Sequence, residues 1–349
     1  MSRARRTALC ALVAALAVGG LTAAPARAAA PHGPCTTGAA GISCHFDVPP
    51  GTYDVSVLLG GGAAARTSVT AETRRAMLPE TATAAGRTVR RSFTVDVRTP
   101  EGEPAGATGS PGLDLTFGGA APALAGIRVT PAPARSARKV LLVGDSTVCD
   151  QAGAPYAGWG QQLPQYLRRG AVVANHADSG ESTVSYLADP RFFDTVEARI
   201  HRGDLVLVQL AHNDKQTDET TYRTRLTAMV DRVRARGGRP VLVTPIVRRW
   251  FNADGTLNNP TALLVNGLGV DHPAVIRSVA ADLGVPLIDL TARTKQLVES
   301  LGTEASKALY LTAEARDNTH TSTHGATVYA ALVRDALRAQ HLLPDDTVR

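Results

Sequence analysis

A serine hydroxyl acts as a nucleophile at neutral pH only when a neighbouring base takes its proton and a third group holds that base in the right tautomer. Residue types suited to these roles stand far apart in the 349-residue chain. Gly144-Asp145-Ser146-Thr147 follows an apolar run at residues 140–143, and Asp317-Asn318-Thr319-His320 lies near the C-terminus. Read singly, each has a plain explanation, because a Ser after an Asp also caps helices and a loop His is commonly just solvated. Acyl transfer further requires donors for the oxyanion that develops on the substrate. The Ser146 backbone N–H is one. Asn175-His176-Ala177-Asp178-Ser179-Gly180 offers a glycine whose N–H can be closely approached, and Ala211-His212-Asn213-Asp214 offers a side-chain amide. One such loop alone reads as a turn in which Asn or Asp bonds its own backbone. Four loops, three of them directly after strand-like runs, point to one shared site.

The elements that must hold these loops follow from hydropathy. Residues 140–143, 171–174, 205–210, 240–243 and 285–288 are continuous apolar runs, the pattern of strands buried on both faces. Helical periodicity fills the intervals at 160–169, 191–202, 220–236, 273–283 and 327–339. This alternation predicts an α/β domain over residues 139–343, a doubly wound, flavodoxin-like, five-stranded parallel sheet. In such sheets ligands bind where the strands' carboxyl ends meet their loops. Before it, short alternating runs at 52–58, 67–72, 92–97, 113–117 and 126–129, separated by Gly, Pro and Ala, predict an N-terminal antiparallel β-sandwich over residues 33–130. Residues 131–138, Pro-Ala-Pro-Ala-Arg-Ser-Ala-Arg, read as a linker. The sandwich carries no catalytic constellation, so a packing or carbohydrate-contacting module is expected.

Residues 1–28 have the layout of an export signal: Arg3, Arg5 and Arg6, an apolar stretch, then Ala26-Arg27-Ala28. The apolar stretch is short for a membrane span, and no later run is longer, so a secreted, extracellular protein without a membrane anchor is expected. The segment holds four of the 37 basic residues and no acid, leaving 33 positive groups against 31 negative ones. That balance, with no basic cluster interleaved with aromatics, argues against nucleic acid as a partner. Hydrophobic residues make up 44% of the chain but aromatics only 4%, which suits a core of small aliphatic side chains. Cys10 leaves with the signal, Cys35 and Cys44 are expected to form a disulfide outside the cell, and Cys149 is left over as a packed small residue.

Gly144-Asp145-Ser146, Gly180, Asn213-Asp214 and Asp317-x-x-His320 resemble the four blocks of the SGNH (GDSL) hydrolases. The longer strings Asn175-His176-Ala177 through Ser182, Ser185-Tyr186, Arg191-Phe192, His212-Asn213-Asp214-Lys215 and Asp317-Asn318-Thr319-His320 with Gly325-Ala326 are similar to rhamnogalacturonan acetylesterases of carbohydrate esterase family 12. The resemblance covers about residues 139–340, and some bacterial members of that group carry an amino-terminal β-domain. It implies Ser146 as nucleophile, His320 as general base and then acid, Asp317 as its partner, and Ser146, Gly180 and Asn213 as oxyanion donors. Two positions depart from the pattern. Ala211 stands where Gly is usual, which bears on the local turn, and Glu181 stands where Arg is common, which bears on the sugar and charge preference.

Other candidates weigh less. His212 is expected to brace the Asn213 loop, and Asp145 and Asp214 to brace theirs rather than act as a glycosidase pair. His324 lies four residues after His320 but lacks the Glu of a His-Glu-x-x-His site, so no metal and no cofactor are expected. Gly60-Gly61-Gly62 opens no helix and so cradles no phosphate. Trp159 and Trp250 read as core or cleft walls. Trp250 is the better sugar-contacting aromatic, and its neighbours Arg248 and Arg249 could meet an acidic polysaccharide. The expected protein is a monomeric secreted serine esterase that removes acetyl groups from a plant-wall polysaccharide, rhamnogalacturonan by the resemblance. The alternatives are a lipase, a thioesterase or a deacetylase of xylan or another glycan, and, from another class, an inactive carbohydrate-binding protein.

Overall fold

The structure is a computed structural model that describes residues 35–39, 41–106, 109–133 and 137–349. The expected export signal at 1–28 and residues 134–136 of the expected linker lie outside these.

Eight strands form the N-terminal part: β1 (Cys35–Gly38), β2 (Gly41–Phe46), β3 (Gly51–Gly61), β4 (Ala65–Ala71), β5 (Arg75–Thr83), β6 (Arg87–Val97), β7 (Leu113–Ala121) and β8 (Leu124–Pro131). They pair antiparallel in two sheets, ordered β1-β2-β7-β4-β5 and β6-β3-β8. Side chains alternate across a strand, so one face of each sheet is apolar. In β3, Tyr53, Val55, Val57 and Leu59 are buried, and they share a core with Phe93, Leu115 and Phe117. All five expected strands are present. β1, β2 and β5 come in addition; β1 and β2 are short, and Pro79-Glu80 interrupts the apolar pattern of β5. Cys35 and Cys44 are cross-strand partners joined by a disulfide.

The second part holds β9 (Arg138–Gly144), β10 (Ala171–Asn175), β11 (Leu205–Gln209), β12 (Arg239–Val243) and β13 (Leu287–Ile288). All neighbours pair parallel, in the order β10-β9-β11-β12-β13. The helices are α1 (Trp159–Gln162), α2 (Thr183–Ala188), α3 (Phe193–Arg199), α4 (Glu219–Ala235), α5 (His272–Leu283), α6 (Leu290–Ala305), α7 (Thr312–Ala315) and α8 (Thr323–Ala339). Val140, Leu142, Val173, Leu207 and Val241 face one layer, which includes Tyr329, Ala330, Val333 and Leu337 of α8. Leu141, Val143, Val206, Val208 and Leu242 face the other, with Leu226, Met229 and Val230 of α4 and Ile276 and Val279 of α5. Both faces are covered, which is why the runs are continuously apolar.

The helices differ from expectation where local chemistry intervenes. The 160–169 segment gives only α1 and a 3-10 turn at Leu163–Tyr166, because Pro164 has no N–H to continue an α-helix. Residues 191–202 contract to α3, and α2, α6 and α7 are additional.

The two parts are joined by buried charge. The Arg75 side chain, 1% exposed, donates through Nε to Asp150 Oδ2 at 2.7 Å and through Nη1 to the Asp96 carbonyl at 2.8 Å. Asp150 Oδ1 also accepts from Asn175 Nδ2 at 2.8 Å, so a sandwich residue is locked to the loop after β9 and, through it, to the end of β10. Losing one member of such a pair costs about 3–5 kcal/mol, since the other charge stays buried.

Beside this pair, at the β4–β5 turn, both Glu72 carboxyl oxygens are buried without a hydrogen-bond partner. Burial pushes the Glu72 carboxyl up to about 8; Arg75 opposes that rise and Glu101 adds to it. The folded chain therefore keeps a proton that the unfolded chain releases near 4.5, so folding stability declines as pH rises from about 4.5 towards about 8. Glu72→Gln is expected to flatten this decline in a series of thermal midpoints taken across that range, and an unchanged slope would refute the assignment.

Candidate active site

Strand β9 ends at Gly144, where a Cβ would lie 2.6 Å from Val148 Cγ2, so only glycine lets the chain fold back on itself here. The turn closes through Val148 N–H to the Asp145 carbonyl at 2.9 Å and leaves Ser146 at the edge of the sheet, 7% exposed. Ser146 Oγ donates to His320 Nε2 at 3.0 Å, and His320 Nδ1 donates to Asp317 Oδ2 at 2.6 Å. The three residues proposed from sequence are thus in one continuous hydrogen-bonded line.

The loop that carries His320 is held by its own backbone. Asp317 Oδ1 accepts the N–H groups of Thr319 and His320 at 2.7 and 3.0 Å. Burial alone would raise the Asp317 carboxyl, but the bonds from the His320 N–H and ring and from Thr319 outweigh it and hold the group below the usual carboxylate range. An ionised Asp317 fixes the tautomer in which Nε2 is free to accept the serine proton. The following residues enter α8, as expected, after Thr321 Oγ1 donates to the Ala157 carbonyl at 2.6 Å.

The loops of Gly180 and Asn213 are laced to the serine loop. Asp178 N–H donates to the Gly144 carbonyl at 3.0 Å, and His212 Nδ1 meets Asp145 Oδ2 at 3.2 Å. Asp145, fully buried, also accepts the Thr147 N–H and hydroxyl; these bonds and His212 overcome the effect of burial and hold its carboxyl below normal. Asn213 Nδ2 donates to the Glu181 carbonyl at 3.0 Å, which ties the third loop to the residue after Gly180. Gly180 has φ +86°, in the left-handed region that favours glycine, and a Cβ there would meet nothing within 4 Å. The space beside its Cα is therefore open. Asp214 accepts from Thr183 and Thr217 and braces its loop.

The remaining candidates separate by burial. Trp250 is 51% exposed and free to meet a ligand. Arg248 is half-buried, donates to the His212 carbonyl at 3.3 Å, and lies within the fields of Asp145 and Asp317. With His212, Lys215 and His272 it lines a cavity of about 190 Å³ beside the Asn213 loop. Arg249 departs from expectation. Its guanidinium turns inward to Ser306 Oγ, Asn318 Oδ1 and the Thr303 carbonyl, where it braces the loop of Asp317 instead of facing a sugar. Trp159 is a core residue whose indole N–H donates to Gln209. His324 is exposed, and among the described residues no three His, Cys, Asp or Glu side chains gather as a metal-binding group.

Cys149 is buried, and burial first, then Glu103, raise its thiol well above its usual range, so it offers no competing thiolate. Two neighbours were not legible in the sequence. The Tyr156 ring stands edge-on to the His320 ring at 5.0 Å between centroids, and Gln151 Nε2 donates to the Ser146 carbonyl at 3.1 Å. Both lie in the turn at 150–158, which brings them back to the serine.

Residues 142–341 match the GDSL-like Lipase/Acylhydrolase family. The chain is 37% identical over 215 residues to the rhamnogalacturonan acetylesterase RhgT of Bacillus subtilis (strain 168), covering 57% of this chain and 89% of RhgT. It is 27% identical over 305 residues to the uncharacterized esterase YxiM of the same organism, covering 85% of this chain and 74% of YxiM. The crystal structure of YxiM aligns with a TM-score of 0.54 and 25% identity over 86% of this chain and 80% of that one, so the likeness extends into the β-sandwich.

Two substitutions test the geometry. Asn213→Ala should lower kcat on an aryl acetate by about a hundredfold with KM little changed, as loss of one oxyanion donor does. Asp317→Asn should lower it by about three to four orders of magnitude by favouring the wrong tautomer. Steady-state kinetics of the two variants check both, and wild-type turnover in either removes that residue from the site.

Proposed function

Because the chain belongs to the GDSL-like lipase/acylhydrolase family, we propose that this ester hydrolase of SGNH fold works through a Ser146-His320-Asp317 relay and removes acetyl groups from an exported-enzyme substrate, the plant-wall polysaccharide rhamnogalacturonan. The observation that carries the reading is the 3.0 Å contact between Ser146 Oγ and His320 Nε2, made by residues 174 positions apart.

In the acylation step Ser146 Oγ attacks the acetyl carbonyl while His320 Nε2 takes the hydroxyl proton. Negative charge on the carbonyl oxygen meets the N–H groups of Ser146 and Gly180 and the Asn213 amide, which has a second N–H beyond the one given to Glu181. The imidazolium, stabilised by ionised Asp317, returns its proton to the departing sugar oxygen. Water then attacks the acetyl-serine as His320 takes its proton, and His320 passes that proton to Ser146 Oγ as the C–Oγ bond breaks and acetate leaves. All proton transfers pass through side chains of this chain, and the reaction calls for no cofactor.

Support for the substrate comes from two directions. RhgT, a rhamnogalacturonan acetylesterase, is 37% identical over the hydrolase part. Independently, Arg248 and Lys215 line the cavity beside the Asn213 loop and suit the carboxylates of an acidic polymer, with Trp250 exposed for stacking on a sugar face. Export is supported by the layout of residues 1–28 and by the Cys35–Cys44 disulfide, a bond that persists in oxidising compartments. Among the described residues no helix is long and apolar enough to cross a membrane.

Acetate release from acetylated pectin, acetylated xylan and a long-chain aryl ester tests this reading. Pectin should be the fastest substrate, and Ser146→Ala should release essentially no acetate while melting like the parent. Faster long-chain hydrolysis, or activity retained in Ser146→Ala, would overturn it.

A further inference from the structure

Two segments of the β-sandwich end on the loops that carry the chemistry. One is the β4–β5 hairpin tip, where Glu72 and Arg74 hold φ of 54° and 55°, a conformation that side-chain-bearing residues keep only under constraint. There Arg74 Nη1 donates to the carbonyls of Gln151 and Tyr156 at 2.9 and 3.0 Å. Gln151 reaches the Ser146 carbonyl and Ser179 Oγ, both at 3.1 Å, and Tyr156 packs on His320. The other is the loop after β6. Glu103 Oε1 accepts the Ser179 N–H at 2.7 Å, and the Ala105 N–H donates to the Asp178 carboxylate. The two segments are themselves linked, Thr73 Oγ1 donating to Glu101 Oε1 at 2.8 Å.

We infer that the β-sandwich is a working part of the active site, in which Glu103 is a positioning residue that aims the Gly180 oxyanion donor through its bond to the Ser179 N–H. The inference rests on the esterase reading above and adds a role for a region in which the sequence shows no chemistry.

The physical need is specific. Gly180 has a left-handed backbone and open space around it, so nothing on its own side chain fixes the direction of its N–H. That direction is set by the peptide plane shared with Ser179. Ser179 is held at its N–H by Glu103 and at its hydroxyl by Gln151, and Asp178 is held at its carboxylate by Ala105, so two of the three grips come from the sandwich loop. A carboxylate accepting a backbone N–H makes a stronger bond than a neutral acceptor. An oxyanion donor counts only when it is aimed at the place where charge develops, and a displacement of about 1 Å costs on the order of a hundredfold in rate. Glu103 touches no reacting atom in this scheme; it acts through Ser179.

The test is steady-state kinetics on an aryl acetate with the full chain, each variant assayed well below its own melting midpoint. Glu103→Ala is expected to lower kcat by about tenfold to a hundredfold with KM within about twofold. Glu103→Gln, whose amide oxygen still accepts the N–H, is expected to recover most of that loss. Ala105→Pro, at an exposed loop position, removes the second grip and should show the same kcat signature. A folded Glu103→Ala with parental kcat overturns the inference, as does a Glu103→Gln that is equally impaired. Should Glu103→Ala not fold, Ala105→Pro decides: reduced kcat supports the inference and parental kcat overturns it. Ser146→Ala runs alongside; turnover surviving in that variant defeats the esterase reading itself, whereas parental rates in the loop variants with a dead Ser146→Ala defeat only the role of Glu103.

Discussion

The proposed chemistry depends on a contact between residues that the chain keeps apart. Ser146 follows the first parallel strand and His320 precedes the last helix, yet Oγ and Nε2 are 3.0 Å apart. A parallel sheet brings the loops of Ser146, Gly180 and Asn213 to one rim because all its strands end at one edge, and the loop between α7 and α8 carries His320 to it. The rim is then tightened by bonds between loops, Asp145 with His212, Asp178 with Gly144, and Asn213 with Glu181. Three hydrogen bonds hold the Asp317 carboxyl below its usual range, and one of them orients the His320 ring.

The sandwich supplies a second constraint. Arg75 and Asp150 are a fully buried ion pair, and Asp150 lies four residues after Ser146. Charges at that depth are stable only with their partners in place, so the pair fixes how the two parts meet. Around it the Arg74 and Glu103 contacts fall on the segments next to Ser146 and Gly180. The likeness to YxiM over most of the chain shows that this two-part arrangement is not peculiar to one sequence.

How much of this was legible beforehand follows from what each feature depends on. The parallel strands were visible because burial on both faces demands unbroken apolar runs such as Val140-Leu141-Leu142-Val143, and the hydrogen-bonded set Ser146, His320 and Asp317 because few side-chain types suit such a line. Helix ends were less legible, since Pro164 converts an apparently periodic stretch to a 3-10 turn. Arg249 was misjudged as a ligand contact because a basic residue in a loop looks the same whether it faces solvent or, as here, turns inward to Ser306 and Asn318. Tyr156, Gln151 and Glu103 were invisible for a related reason. Their residue types are ordinary, and their importance comes from partners such as Ser179, brought to Glu103 across 76 positions of sequence.

The most direct test of the relay is covalent trapping. Brief exposure to an aryl phosphonate ester, followed by peptide mass spectrometry, should find one adduct, on Ser146, with labelling strongly slowed in His320→Ala. An adduct on another residue, or equal labelling with and without His320, would contradict the account.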